Sequence, residues 1–212
     1  MPKNHRVLAG ECIASIAYRH GFHPDTLWDA PANAKLKQLR EGPNVLLAGD
    51  IVVIPDKRVR SESAEVEKLH RFRRKGVPEV LRLRLVDDEG EPRKQVSYTL
   101  TIDGKTTHGE TDSDGRLSAG ILPNAKEGLL TVGQGPLAEL FPLALGRLDP
   151  VDTLRGVQQR LNNLGWECGA EDGVLGEELG EVLRRFQDRH GLSMTGEADD
   201  ETCSKLMELN EA

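Results

Sequence analysis

Phe, Trp and Tyr together make up only 4% of the 212 residues. With so few large rings and 22 glycines, several modest cores are expected rather than one extensive one. Cysteine is scarce too. Cys12, Cys168 and Cys203 are too few and too scattered for a disulfide framework or a zinc site, and no CxxC pair exists. Cys168 and Cys203 fall in one predicted domain, where free, partly buried thiols are expected. No apolar run approaches the length that spans a bilayer, and MPKNHRVLAGECIASIA holds no continuous apolar segment after its positive charges. Neither membrane insertion nor a classical signal peptide is expected, so the chain is read as cytoplasmic when synthesised. Basic residues are in deficit. The formal net charge of −7 argues against nucleic acid as a partner, because phosphate binding relies on Lys and Arg clusters. From Asp149 to Ala212, 15 acidic residues stand against 6 basic ones, so the remainder is slightly positive. The one basic run, within Lys68 to Lys75, reads as a solvated connection.

What the chain does have is concentrated in its last third. Val151, Leu154, Val157, Leu161 and Leu164 recur at helical spacing, as do Leu175, Leu179, Val182, Leu183 and Phe186. Leu206 and Leu209 begin a third stripe, on a capped helix starting near Asp199. Asp172-Gly173 and Thr195-Gly196 are turn signals, since Gly accepts positive φ and Asp or Thr can bond its own backbone. Three short helices around one small core follow, with a degenerate turn-plus-helix repeat. Leu179 stands where the second copy has Thr202, so the helix start of the first copy, after Gly173, is expected to be the less well capped of the two. Gly180 inside a helix costs about 1 kcal/mol relative to Ala, which points to a close contact there. Leu164-Gly165-Trp166, Asp172-Gly173 and Phe186-Gln187 resemble the small helical peptidoglycan-binding domains attached to bacterial wall hydrolases. The resemblance implies binding residues among Gly165, Trp166, Asp172, Gly173 and Gln187. Phe186 reads as core, Trp166 and Gln187 as surface candidates.

At the other end, Val7 to Pro55 begins and ends with short apolar strands, VLAG and IVVIP, around helical signals, a β-α-α-β plan. Ile13, Ile16 and Ala17 form one inner stripe, ended by Gly21 as a C-cap would. A second helical stretch runs near Asn33 to Arg40, with Leu36 and Leu39 inward. Gly10-Glu11-Cys12-Ile13 and Ala48-Gly49-Asp50-Ile51-Val52-Val53-Ile54-Pro55 resemble the opening Gly-Asp-Thr-Leu and the closing Pro-Gly-x-x-Leu-x-Ile-Pro of a LysM module. Cys12 replaces the usual Thr. The resemblance implies an N-acetylglucosamine groove lined by Gly10, Glu11, Cys12, Ala48, Gly49, Asp50 and Ile51.

Between the two, the pattern changes to period two. Leu81, Leu83 and Leu85 alternate with arginines, and Val96, Tyr98, Leu100 and Ile102 with polar residues. Turn signals at Asp88-Glu89-Gly90, Asp103-Gly104, Asp114-Gly115 and Gly133 complete an antiparallel β-sandwich. Gly109 to Leu117 resembles the Thr-Asp-x-x-Gly hairpin of prealbumin-like domains, and a turn explains Asp112 and Asp114 more simply than calcium does.

The expected fold is thus α+β and multidomain: a LysM-like module over 1–57, a charged connection over 58–78, a prealbumin- or Ig-like β-sandwich over 79–147, and a helical peptidoglycan-binding domain over 148–212. No HExxH motif appears, and His20 and His23 read as surface residues at a helix end. No cysteine stands in the Ser-His-Gly-Cys setting of a wall transpeptidase. Neither catalytic residues, metal nor cofactor are expected. The leading expectation is a noncatalytic peptidoglycan-binding protein with wall-reading modules at both ends of a sandwich spacer. The order of parts resembles proteins encoded with type VI secretion spikes and effectors, which implies such a protein as partner and delivery to the periplasm or wall without a signal peptide. The alternatives are a cytoplasmic adaptor for a spike or toxin and, third, a wall hydrolase.

Overall fold

The structure, a computed structural model, describes residues 2–57, 63–71, 79–146 and 148–211. These residues form a mixed α+β fold, with three hydrophobic cores among them. The N-terminal one is a β-α-α-β element with an added helix. Strand β1 (Lys3–Arg6) pairs antiparallel with β2 (Ile51–Ile54), Lys3 opposite Ile54 and Arg6 opposite Ile51. The first strand is therefore KNHR, not VLAG. Val7 turns inward at the strand's end and Gly10, at φ 78°, bends the chain into helix α1 (Ile13–His20). Gly21 ends that helix at φ 74°, and the amide of Phe22 donates to Ala17 O, as a C-cap should. A short helix α2 (Pro24–Trp28) follows, with Pro at its first position and His23 as N-cap. Its single turn is too short to show periodicity. In α3 (Ala34–Leu39) Leu36 is buried but Leu39 is 63% exposed, so only one of the two expected residues points inward. Buried Asn33 ties the module together: its amide nitrogen donates to Leu27 O and Val53 O, and its oxygen accepts from Val53 N.

In the middle, β3 (Glu79–Arg84) pairs with β6 (Arg116–Ile121), and a second antiparallel sheet runs β5-β4-β7-β8 through β4 (Ser97–Ile102), β5 (Lys105–Glu110), β7 (Glu127–Val132) and β8 (Glu139–Ala144). Leu81, Leu83, Leu117, Leu100, Leu130 and Val132 from both sheets share one core. Asp103 and Gly104 both have positive φ, the requirement of a tight two-residue hairpin. Asp112 Oδ1 accepts from the amides of Asp114 and Arg116, which commits this carboxylate to the turn. Thr111 is buried, donating to Arg93 O and accepting from Val96 N. Of the basic run, residues 72–75 lie outside the described residues.

Three helices close the chain: α4 (Leu154–Asn163), α5 (Glu177–Arg189) and α6 (Asp200–Glu211), around Val157, Leu161, Leu179, Leu183, Phe186 and Leu206. Leu175 precedes α5 and is 45% exposed, outside the stripe expected to hold it. Glu41, in the turn after α3, crosses to this domain. Its Oε1 accepts from Val151 N at 2.6 Å and its Oε2 from the guanidinium of Arg160 at 2.8 Å. Arg160 is 2% exposed and also donates to Asp149 O and Gly156 O. The first and last units thus touch, whereas modules held apart by a spacer were expected. A carboxylate from the N-terminal unit neutralises a cation buried in the C-terminal one.

Candidate functional site

In the helical domain the turns at Gly173 and Gly196 are each built on a buried glutamine. Gln158 of α4 accepts from Gly173 N at 2.7 Å and donates to Asp172 Oδ1 at 2.9 Å. Gln187 of α5 accepts from Gly196 N at 2.9 Å and donates to Thr195 Oγ1, Thr202 Oγ1 and Glu197 O. The turn glycines take φ of 76° and 71°, and the glutamine oxygen fixes the amide that this conformation directs inward. Gln187, expected at the surface, is wholly buried. Its polar groups are consumed inside the domain, because a buried amide must satisfy both its donors and its acceptor. Gln158 carries no motif signal; only the polar run Gln158-Gln159-Arg160 between core residues Val157 and Leu161 marks it. All three are buried, and Gln159 accepts from Asp149 N.

Trp166 is half-buried. Its ring meets Phe186 edge-on at 5.6 Å, lies 6.4 Å from His190, and has the Arg185 guanidinium over it at 5.9 Å. Gly165, at φ 81°, is exposed and completes the end of α4. Asp172 is exposed on the turn. Hydrogen bonds from Gln158 and from Val174 N hold its carboxyl below the usual range. Asp199 is held down likewise by the hydroxyl and amide of Thr202, and caps α6. Helix α5 has Gly176 as its N-cap and starts without a side-chain cap, as its sequence implied. Gly180 does not bear out the expected tight contact: a Cβ there would lie 3.7 Å from Gly196 O, ordinary packing. The tight position is Gly156, where a Cβ would come within 2.0 Å of Pro150 O.

The N-terminal candidates divide in two. Glu11 is buried, accepting from His5 Nε2 and Leu8 N and pairing with Arg19 at 2.6 Å. Burial raises its pKa, but these three partners outweigh that and hold it below the ordinary value. Asp50 binds Arg40 through both oxygens at 2.7 and 2.8 Å and accepts from Leu47 N. Cys12 is buried as the N-cap of α1. The accessible members are Ala48 and Ile51, with Gly10 and Gly49 partly so. His20, expected at the surface, is partly buried, its ring 5.7 Å from that of His5. Burial first, and the nearby cationic groups second, lower its pKa.

All three cysteines are free. Burial pushes the thiols of Cys168 and Cys203 up, away from the thiolate form that nucleophilic chemistry needs. No group of three or more metal-ligating side chains occurs among the described residues. No helix among them is long and apolar enough to cross a membrane.

The three-helix geometry coincides with the comparison to known families. Residues 152–206 match the family model described as "Putative peptidoglycan binding domain". That span runs from the residue before the Thr153 cap to Leu206 in the core, and so takes in both glutamine-held turns. Neither the curated proteins nor the solved structures bring up a match to the chain.

Proposed function

We propose that this protein is a noncatalytic peptidoglycan-binding protein serving as an accessory or targeting component of a type VI secretion effector system. The observation that carries the binding role is the family match over 152–206. The N-terminal unit supports a glycan contact of the LysM kind: a two-stranded pair with Gly10 and Gly49 at positive φ in the flanking loops, beside exposed Ala48 and Ile51. Backbone amides there suit an acetamide and Ile51 suits a sugar face. A lone module of this size binds weakly, and a second on the same chain adds avidity. The noncatalytic reading draws on the raised thiols and on Glu11 and Asp50 being engaged with their own neighbours. Secretion by a spike would take the protein to the periplasm or wall.

The purified chain should cosediment with insoluble peptidoglycan, and removing residues from Asp149 onward should weaken this. Equal partitioning with and without wall material would end the proposal. One observation favours the adaptor reading: the outward face of β7 and β8 exposes Leu129 and Leu140, beside Pro142, which suits a protein contact. Copurification with a spike or toxin in the absence of wall affinity would decide for it.

A further inference from the structure

In the N-terminal unit one buried carboxylate and two imidazoles meet where β1 turns into α1. Glu11 fastens that turn: its Oε2 accepts from Leu8 N at 3.0 Å and from His5 Nε2 at 2.7 Å, its Oε1 pairs with Arg19, and its own amide donates to Leu8 O. His20, the last residue of α1, stands edge-on to the His5 ring, with 74° between the two planes. Its Nε2 is buried and has no hydrogen-bond partner among the described residues. The groups whose charge it feels are Lys3 and His5 of β1, Arg19 of α1, and Lys57 just after β2. All four are cationic when charged, and Glu11 is already engaged by His5, Arg19 and the Leu8 amide. A neutral ring suits this place. A protonated one does not, because a cation taken out of water needs a partner. Turned out to solvent, the same charge would sit at the C-terminal end of α1, where the helix dipole favours it.

We propose that His5, Glu11 and His20 form an acid-operated latch on the turn 8–11: on acidification His20 takes a proton, leaves its place against His5, and admits water to the bonds by which Glu11 holds that turn. The direction follows from the surroundings. Burial first, then His5, Arg19, Lys3 and Lys57, hold the pKa of His20 below its ordinary 6.5. The closed turn therefore has its full stability above about pH 6.5 and loses it as pH falls from there through the lower closed-state value. Glu11 does not titrate in this range. Burial raises its pKa, but the Leu8 amide, His5 and Arg19 together hold it below its ordinary 4.5. The histidine thus opens a turn whose carboxylate is still ionised. Gly10 lies in that turn, so the glycan contact proposed above would be weakest in acid; the latch itself does not depend on that contact.

Two measurements on the full chain test it. In an NMR titration of the imidazole resonances, His20 should titrate below the ordinary histidine value, and the Leu8 amide should shift with the same midpoint. Hydrogen-exchange protection of the Leu8 amide, corrected for the intrinsic pH dependence of exchange, should fall about five- to twentyfold between pH 7 and pH 5, as expected for one histidine that titrates near 6.5 in the open turn and lower in the closed one. His20→Phe keeps a ring beside His5 that cannot take a proton, so its Leu8 protection should not fall over that range. Reading the exchange at Leu8 separates the latch from His190, which lies in the helical domain. Should the variant not fold, the titration of the unaltered chain still decides. An ordinary midpoint for His20, a Leu8 amide that does not follow it, or an equal loss of protection in His20→Phe overturns the latch.

Discussion

In α4 the buried Gln158 holds the turn Asp172-Gly173-Val174, and in α5 the buried Gln187 holds Thr195-Gly196-Glu197, yet the two halves are secured differently. The second half closes on itself: Gln187, Thr195, Asp199 and Thr202 bond one another, and α6 begins from that network. The first half reaches outward. Arg160 needs Glu41 from the N-terminal unit, Gln159 holds Asp149, and α5 starts without a side-chain cap. One repeat is thus self-sufficient and the other depends on the rest of the chain.

The sharpest way to break this contrast is at Gly156. A Cβ there would strike the carbonyl oxygen of Pro150 at 2.0 Å and lie 2.7 Å from that of Asp149. Both are backbone, so nothing can rotate away. Gly156→Ala should destabilise the helical domain by about 3 kcal/mol or more, seen as lost hydrogen-exchange protection in α4 to α6, with the N-terminal unit less affected. Glu41→Ala comes next. It removes the Glu41 carboxylate from the guanidinium of Arg160, which is 2% exposed. A loss of about 2 to 3 kcal/mol is expected, less than for a fully buried pair because Glu41 is partly exposed. The loss should appear in the C-terminal domain although the substitution lies in the other unit. A purely local effect in the N-terminal unit would show that the two are not coupled.

The glutamines permit a direct test of the two halves. Gln187→Leu strands Gly196 N and removes the common partner of Thr195 and Thr202, inside the core, and should cost about 2 to 3 kcal/mol. Gln158→Leu strands Gly173 N, but Asp172 on the exposed turn can turn to water, so about 1 to 2 kcal/mol is expected. Denaturant unfolding of both variants checks the order, and the reverse order would contradict the self-contained second half.

Much of this was legible in the sequence. Apolar spacing marks α4 and α5, and Gly with Asp or Thr marks the turns, because local backbone demands select those residues. The period-two leucines of β3 are equally local. What was hidden depends on partners distant in sequence. Gln187 looks like a surface amide until Gly196 closes over it, and Arg160 looks like a solvated helix residue until Glu41 arrives. Strand β1 is polar because its register with β2, not apolar content, defines it. Gly180 and Gly156 are both helix glycines. Nothing along the chain tells which of them has backbone packed against it.

Acid separates the halves more gently. Asp199 titrates below its ordinary value because it accepts from the hydroxyl and amide of Thr202. Its contribution to stability is therefore complete above the unfolded value, about pH 4, and is lost as pH falls through the lower folded value. Asp199→Asn keeps an acceptor for the Thr202 amide but cannot titrate. Its melting temperature should fall less between pH 5 and pH 3 than that of the unaltered chain. His190 acts at higher pH. Burial lowers its pKa, so its contribution is complete above about pH 6.5 and declines as pH falls below that, alike in both proteins.

The smallest expected effect is a gain, at Gly180. A Cβ there would meet Gly196 O at 3.7 Å and Arg184 Nη1 at 3.9 Å, both at ordinary contact distance, and the residue lies inside a 13-residue helix. No steric penalty opposes the helix preference of alanine. Gly180→Ala should therefore stabilise the domain by about 0.5 to 1 kcal/mol, measured as a higher denaturant midpoint at unchanged slope. The same substitution at Gly156 is expected to act with the opposite sign, because there the backbone of 149–150 fills the space that Gly180 leaves open. If Gly180→Ala instead destabilised the domain, the turn at Gly196 would have to pack more tightly on α5 than 3.7 Å, and the self-contained second half would owe part of its stability to that glycine.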